Sequence, residues 1–145
     1  MNFTVLPRNW APYTQALLRI MVGLLLLEHG TGKLLAFPAG AAPQMPYGLL
    51  VFTGAMELVG GALIAVGFLT RPVAFILSGF TAAAYFMVHA PMGFFPILNH
   101  GELAIVYSFA FLHLATVGAG AWSVDTSLAG SRSERNERGD ALSRA

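Results

Sequence analysis

The sequence contains no cysteine among its 145 residues, which excludes disulfide bonds, thiol redox relays and cysteine-ligated metal clusters. Charged residues are also scarce, at 10% of the chain against about 25% in an average soluble domain. The formal net charge of +1 offers no basic surface for nucleic acid. By contrast, 56% of the residues are hydrophobic, a balance typical of an integral membrane protein.

The few charges are sparse in the middle of the chain. Between Ala11 and Ser123 the charged side chains are only Arg19, Glu28, Lys33, Glu57, Arg71 and Glu102. Prolines and glycines divide this stretch into four apolar segments, and about 20 helical residues cross the roughly 30 Å hydrocarbon core of a bilayer. We therefore predict an all-α, integral membrane four-helix bundle with spans at about 14–37, 47–69, 72–89 and 102–121.

Two flanking segments complete the predicted domain organisation. Residues 1–12 contain Pro7 and Trp10, and they are predicted to form an interfacial lead-in at the lipid headgroups. Residues 13–128 then make up the membrane domain. Residues 129–145 alternate charges of both signs without an apolar stripe, which predicts a disordered polar tail.

Basic residues lie mostly at one end of the predicted spans. Lys33 points toward the other side, whereas the side of the two termini carries Arg8, Arg19, Arg71, Arg132, Arg135, Arg138 and Arg144. Because cytoplasmic loops of membrane proteins carry an excess of lysine and arginine, both termini are predicted to be cytoplasmic.

Ionisable side chains gather in the outer half of the predicted bundle. Residue counting places Glu28 and Glu57 at similar depths, and His29 and Lys33 share one helix face four residues apart. The third and fourth spans add His89, His100 and Glu102 to this layer. Ionisable groups inside a membrane usually face the bundle interior and mark functional sites, so we predict a buried polar site. A structural ion pair between Lys33 and one carboxylate is the alternative.

Metal and haem sites fit the sequence less well than a proton-handling site does. No Glu-x-x-His motif of the di-metal bundle proteins occurs, and the adjacent Glu28 and His29 point about 100° apart on a helix. A bis-histidine haem would need two histidines at one depth on facing helices, for which His29 and His89 are the conceivable pair. We predict no metal site.

Several short motifs together match a known family. They are Arg19 with Gly23, E-H-G-T-G-K (28–33), E-L-V-G-G-A-L (57–63), G-F-L-T-R (67–71), His89, N-H-G-E (99–102), Tyr107 and G-A-G-A-W-S-V-D (118–125). On these residues, the chain resembles the DoxX family of small bacterial four-helix membrane proteins over about 13–128. The resemblance implies a multi-pass protein of the bacterial inner membrane, in the neighbourhood of quinone-linked redox metabolism.

The resemblance also implies a site, without settling whether the protein is an enzyme. A quinone is the implied cofactor or substrate, with its polar edge at the outer cluster. The expected catalytic residues are Glu28, Glu57 and His29, and the expected substrate-binding residues are Lys33, His89 and Glu102. Two other functions stay open: a membrane scaffold for a soluble or membrane redox partner, and a small transporter of protons or a polar solute. Four spans are few for a transport pathway, so the latter would be a homo-oligomer.

Overall fold

The computed structural model describes residues 5, 7–39 and 43–144. Throughout these residues the fold is all-helical, without a strand, which confirms the all-α part of the predicted fold class. Residues 1–4 and 6 of the predicted lead-in lie outside the described residues. From Arg8 onward the lead-in is already helical, because a 3₁₀ turn at Arg8–Trp10 runs directly into the first α-helix.

Six α-helices follow one another along the described chain. They are α1 (Ala11–Leu35), α2 (Tyr47–Val66), α3 (Thr70–Ala84), α4 (the single turn Pro96–Asn99), α5 (Glu102–Val117) and α6 (Val124–Ser143). Beyond Ala84, α3 continues as a wider π-helical turn, Tyr85–His89, and then a 3₁₀ turn, Ala90–Met92.

Three of the helical segments are long and apolar enough to cross a membrane: Arg8–Leu35, Tyr47–Val66 and Thr70–Met92. The fourth predicted span, 102–121, is helical only over the 16 residues of α5. At about 1.5 Å per residue such a helix measures about 24 Å, less than the hydrocarbon core.

Residues with positive φ mark the ends of several helices. These observed ends differ by a few residues from the predicted ends of the spans. Gly67 has a φ of 72° and donates its N–H to the carbonyls of Leu63 and Ile64, which ends α2. Leu69 also has a positive φ, so α3 begins at Thr70, before the predicted start of the third span at 72. At the end of α5, Gly118 has a φ of 93°.

Glycines let α1 and α2 pack backbone to backbone. A Cβ atom added at Gly23 would lie 2.6 Å from the backbone nitrogen of Ala65, and one added at Gly61 would lie 2.6 Å from that of Leu27. Such distances are well inside van der Waals contact. Only glycine therefore permits this approach, which is the usual way in which membrane helices associate.

The second closely packed pair is α3 with α5. Here Ser78 donates its hydroxyl to the carbonyl of Ser108 at 2.9 Å, and the Ser108 hydroxyl donates back to the carbonyl of Ser78 at 3.1 Å. The two pairs share one apolar core, formed by Val22, Leu26, Ile64, Ala74, Leu77, Tyr107, Phe111 and Leu114. Contact between the pairs is less extensive, and α1 scarcely approaches α5.

The C-terminal segment differs from the predicted disordered tail at 129–145. The structure places its residues up to Ser143 in α6, which begins after Ser123, whose hydroxyl oxygen accepts a hydrogen bond from the backbone N–H of Thr126. Serine is a favoured N-cap residue, so Ser123 marks the start of this helix. The absence of an apolar stripe does not exclude such a start.

We expect Gly23→Ala to lower the free energy of unfolding by about 1–3 kcal/mol, because the added methyl group must push α1 away from α2. The matched control is Gly79→Ala on α3, where an added Cβ meets nothing within 4 Å. The control should be neutral or slightly stabilising, since alanine favours a helix over glycine. Thermal unfolding of both variants in detergent measures the difference, and equal melting temperatures would contradict the packing argument.

Candidate functional site

A buried ion pair joins α1 to α2. The Lys33 ammonium lies 2.6 Å from Oε1 of Glu57, and the side chains of the two residues are only 14% and 10% exposed. Lys33 comes from the last turn of α1, while Glu57 lies on the side of α2 that also carries Gly54 and Gly61. Because these glycines bring α2 against α1, the ion pair is enclosed between the two helices.

Two buried oxygen atoms beside this ion pair lack a hydrogen-bond partner in the described part of the chain: Oε2 of Glu57 and the hydroxyl oxygen of Tyr107. Tyr107 enters from α5, where it stacks on Phe111 with ring centroids 5.7 Å apart. The His29 ring lies nearly perpendicular to the Tyr107 ring, with the two ring centroids 6.1 Å apart. A buried polar atom without a partner costs about 1–3 kcal/mol, so each of these atoms is an unmet hydrogen-bonding group in the interior.

The structure brings together only part of the predicted site. Lys33, Glu57 and His29 surround one polar centre with Tyr107. Glu28 is exposed on the outer side of α1.

His89 and Glu102 do not reach the ion pair through any observed contact. The Nδ1 atom of His89 lies 3.0 Å from the carbonyl oxygen of Asn99, within the loop that joins α3 to α5. Asn99 is fully buried and donates its amide to the carbonyl of Gly93 at 2.7 Å, so it organises this loop. Glu102 is exposed at the first residue of α5. The substrate-binding role of His89 and Glu102 stays a prediction.

Sequence reasoning overlooked Tyr107 as a site residue, although a signal was available. Tyr107, Phe111 and Leu114 follow one another at spacings of four and three residues, which places them on one face of a helix. All three are buried in the core. A tyrosine on the inward face of an apolar helix brings a hydroxyl that needs a partner, and the ion pair lies beside it.

Arg19 is the second residue whose role the sequence did not reveal. Its side chain is fully buried, and its guanidinium donates to five backbone carbonyls at 2.5–3.4 Å. Two of these carbonyls, from Ile64 and Ala65, end α2, and the other three belong to Ala119, Ala121 and Trp122. Arginine suits this position because its planar fork carries five donors.

Asp125 completes this opposite end of the bundle. Its carboxylate accepts hydrogen bonds from the backbone N–H groups of Leu69 and Thr70, at 2.8 and 2.9 Å, and so caps the start of α3. Burial raises the pKa of Asp125, but hydrogen bonds from Thr70 and Leu69 and the nearby charge of Arg19 outweigh it, and the pKa lies below its ordinary value.

The fold and the polar centre define a class of protein. Three apolar membrane-length helices, an ion pair enclosed among them and an arginine satisfied wholly by carbonyls are features of a polytopic helical membrane protein.

The chain belongs to the DoxX family, whose profile matches residues 14–90, more than half of the chain. It is 44% identical over 123 residues to an uncharacterized protein of Haemophilus influenzae, covering 81% of this chain and 92% of the relative. It is 34% identical over 114 residues to the inner membrane protein YqjF of Escherichia coli, covering 74% and 85%. No solved structure matches. The protein is therefore a multi-pass protein of the bacterial inner membrane.

A third relative shares only one segment with this chain. The chain is 38% identical over 108 residues to an apolipoprotein N-acyltransferase of Brucella melitensis. The match covers 72% of this chain but only 20% of that longer protein.

The stability of the protein should fall at acid pH because of Asp125. A carboxylate whose pKa is lowered on folding stabilises the fold fully above its unfolded pKa of about 3.9, and this contribution is lost as the pH falls through the folded pKa. We expect Asp125→Asn to melt earlier than the wild type at pH 7 and to lose less stability between pH 7 and pH 3. The control is Glu137→Gln on exposed α6. An equal change in melting temperature between pH 7 and pH 3 for Asp125→Asn and the wild type would contradict the capping role.

Proposed function

We propose that the bundle binds a quinone, or a similar lipid-soluble ring, with its polar edge at Lys33, Glu57 and Tyr107. The supporting observation is the pair of buried, unpartnered oxygen atoms beside the ion pair. A ring carbonyl could accept a hydrogen bond from the Tyr107 hydroxyl, and a ring hydroxyl could donate to Oε2 of Glu57. The oxidised and reduced forms of a quinone would thus each satisfy one of the two atoms.

The side chains around this position can also handle the protons of such a ring. Glu57 would exchange a proton with the ring oxygen, and Lys33 would balance the charge that the carboxyl gains or loses. His29 faces Tyr107 on one side and is exposed on the other, so it would relay protons outward. The electrons would come from, or pass to, a redox partner protein.

The route into this position would lie between α1 and α5. The two helices scarcely approach each other, whereas α1 packs closely on α2 and α3 packs closely on α5. His29 and Tyr107 face each other across this side. A flat ring dissolved in the bilayer could therefore enter laterally, without first passing through water.

We further propose that α5 is a fourth membrane crossing and that both termini are cytoplasmic. Arg19 and Arg71 support this orientation, because they lie near the same end of the bundle as the two termini. Arg71 donates to the carbonyls of Thr116 and Val117 at 2.7 and 3.3 Å. These hydrogen bonds satisfy the last carbonyls of α5, a helix too short for its end to emerge fully from the bilayer.

A scaffold for a soluble redox partner is the second candidate, and α6 favours it. This helix follows the bundle directly, and none of its described side chains is buried. Its exposed charges include Arg132, Arg135 and Glu137, which a soluble protein could contact. Under this proposal, substitutions on the surface of α6 would abolish function, whereas substitutions in the ion pair would not.

Quinone binding tests the first proposal. A photoreactive ubiquinone analogue should label the purified wild-type protein in lipid nanodiscs, and excess unlabelled ubiquinone should compete with it. Glu57→Gln and Tyr107→Phe should each weaken binding about tenfold, because each removes one charged or hydrogen-bonding partner worth roughly 1–2 kcal/mol.

The control for this experiment is Glu137→Gln on α6, which leaves the bundle untouched. Equal labelling of the wild type, Glu57→Gln and Tyr107→Phe would overturn the proposed site. Retained quinone binding combined with loss of function on α6 substitution would favour the scaffold instead.

The topology can be tested with single cysteines, because the natural chain has none. A membrane-impermeant maleimide should label Phe94→Cys, in the exposed loop before α4, on intact cells. It should label Ser131→Cys on α6 only after the cells are broken. Labelling of both positions on intact cells would place the C-terminus outside the cell. It would therefore contradict α5 as a fourth crossing.

A further inference from the structure

The outward face of α1 carries one residue that does not suit contact with lipid. Leu17, Met21 and Leu24 are about half exposed and follow one another at spacings of four and three residues. Glu28 comes next at a spacing of four and is also exposed. The outward stripe of this helix therefore consists of apolar side chains interrupted by one carboxyl group.

The depth of Glu28 makes this exposure unfavourable. It lies seven residues before Leu35, the last residue of α1, hence about 10 Å along the helix from that end. Within the described residues its carboxyl group forms no hydrogen bond and no ion pair. Ionisable groups at such depth almost always face other protein or a water-filled cavity, so this stripe of α1 calls for a covering surface.

We infer that a second copy of this chain covers it, with the two Glu28 carboxyl groups hydrogen-bonded to each other. Copies inserted in the same direction are related by a two-fold axis along the membrane normal, so any residue near the axis meets its own counterpart at equal depth. A protonated carboxyl group both donates and accepts, and it can therefore pair with itself. Polar groups of this kind hold membrane helices together.

The remainder of the stripe fits such an interface. Side chains at alternating spacings of four and three residues form the seam of parallel helix pairs, in which each side chain inserts between those of the partner. Leu17, Met21, Leu24 and Glu28 follow this spacing, and Thr31 and Leu35 continue it. The charged group thus lies within the seam rather than beside it.

Among the described residues of α2, α3 and α5, no other exposed carboxyl group lies so far from a helix end. On α3 and α5 the exposed side chains include Phe75, Ile76 and Phe109, which acyl chains solvate well. His113 is exposed on α5, but it lies only four residues before the end of that helix at Val117 and can reach the headgroups. The inference goes beyond the proposed quinone site, since Lys33 and Glu57 are enclosed inside one copy.

Oxidative cross-linking in native membrane vesicles tests the dimer, using the full-length chain with one cysteine introduced at a time. Leu24→Cys and Met21→Cys should form disulfide-linked dimers with copper phenanthroline. Phe109→Cys and Phe75→Cys are the matched controls, because they are at least as exposed but lie on other helices. Cross-linking confined to the controls, or absent at all four positions, would overturn the inference.

The role of Glu28 itself is tested on the Leu24→Cys background. Glu28→Gln keeps a group that donates and accepts, so cross-linking should persist. Glu28→Leu should reduce the rate of cross-linking about fivefold, the change that corresponds to about 1 kcal/mol of lost interhelical hydrogen bonding. Both rates are normalised to the protein inserted in the membrane. Equal rates for the two variants would overturn the pairing of Glu28, whatever the outcome of the quinone-binding experiment.

Discussion

The guanidinium of Arg19 holds together more of this structure than any other single group. In a bilayer no water is available for free backbone carbonyls, so the end of each membrane helix needs donors from the protein. Arg19 supplies them to the last turn of α2 and to the segment after α5. It thereby ties the beginning, middle and end of the membrane domain to one another. Arg71 likewise donates to carbonyls at the end of α5, and Asp125 supplies the complementary acceptor for backbone N–H groups at the start of α3.

The opposite half of the bundle differs, because it encloses an ion pair between two helices. Close packing through Gly23, Gly30 and Gly61 brings α1 so near to α2 that Lys33 and Glu57 must meet. One Glu57 oxygen and the Tyr107 hydroxyl are then left without partners. The Arg19 end also has one buried hydroxyl without a partner among the described residues, that of Thr70, but only the opposite end adds a buried ion pair to two such oxygen atoms. This contrast is the physical reason for assigning function to the ion pair.

Most of the fold could be read from the pattern of apolar residues. The helical class, the membrane location and the first three spans follow from long apolar runs separated by proline and glycine. The helix ends were less accessible, because they depend on the positive φ of Gly67, Leu69 and Gly118, which the apolar pattern does not encode. The helical state of residues after Ser123 was overlooked as well. An N-cap acts on the backbone locally and leaves no trace in hydrophobic periodicity.

The sequence alone determined that ionisable residues enter the membrane and that some of them must pair, because charge is unstable in hydrocarbon. Only the tertiary structure decided that Glu57, not Glu28, pairs with Lys33, and that His89 instead contacts the loop at Asn99. The rotation of each helix about its own axis makes this choice. That rotation depends on which glycines face a neighbouring backbone and on where Arg19 finds its carbonyls, and residue spacing within a single helix contains neither.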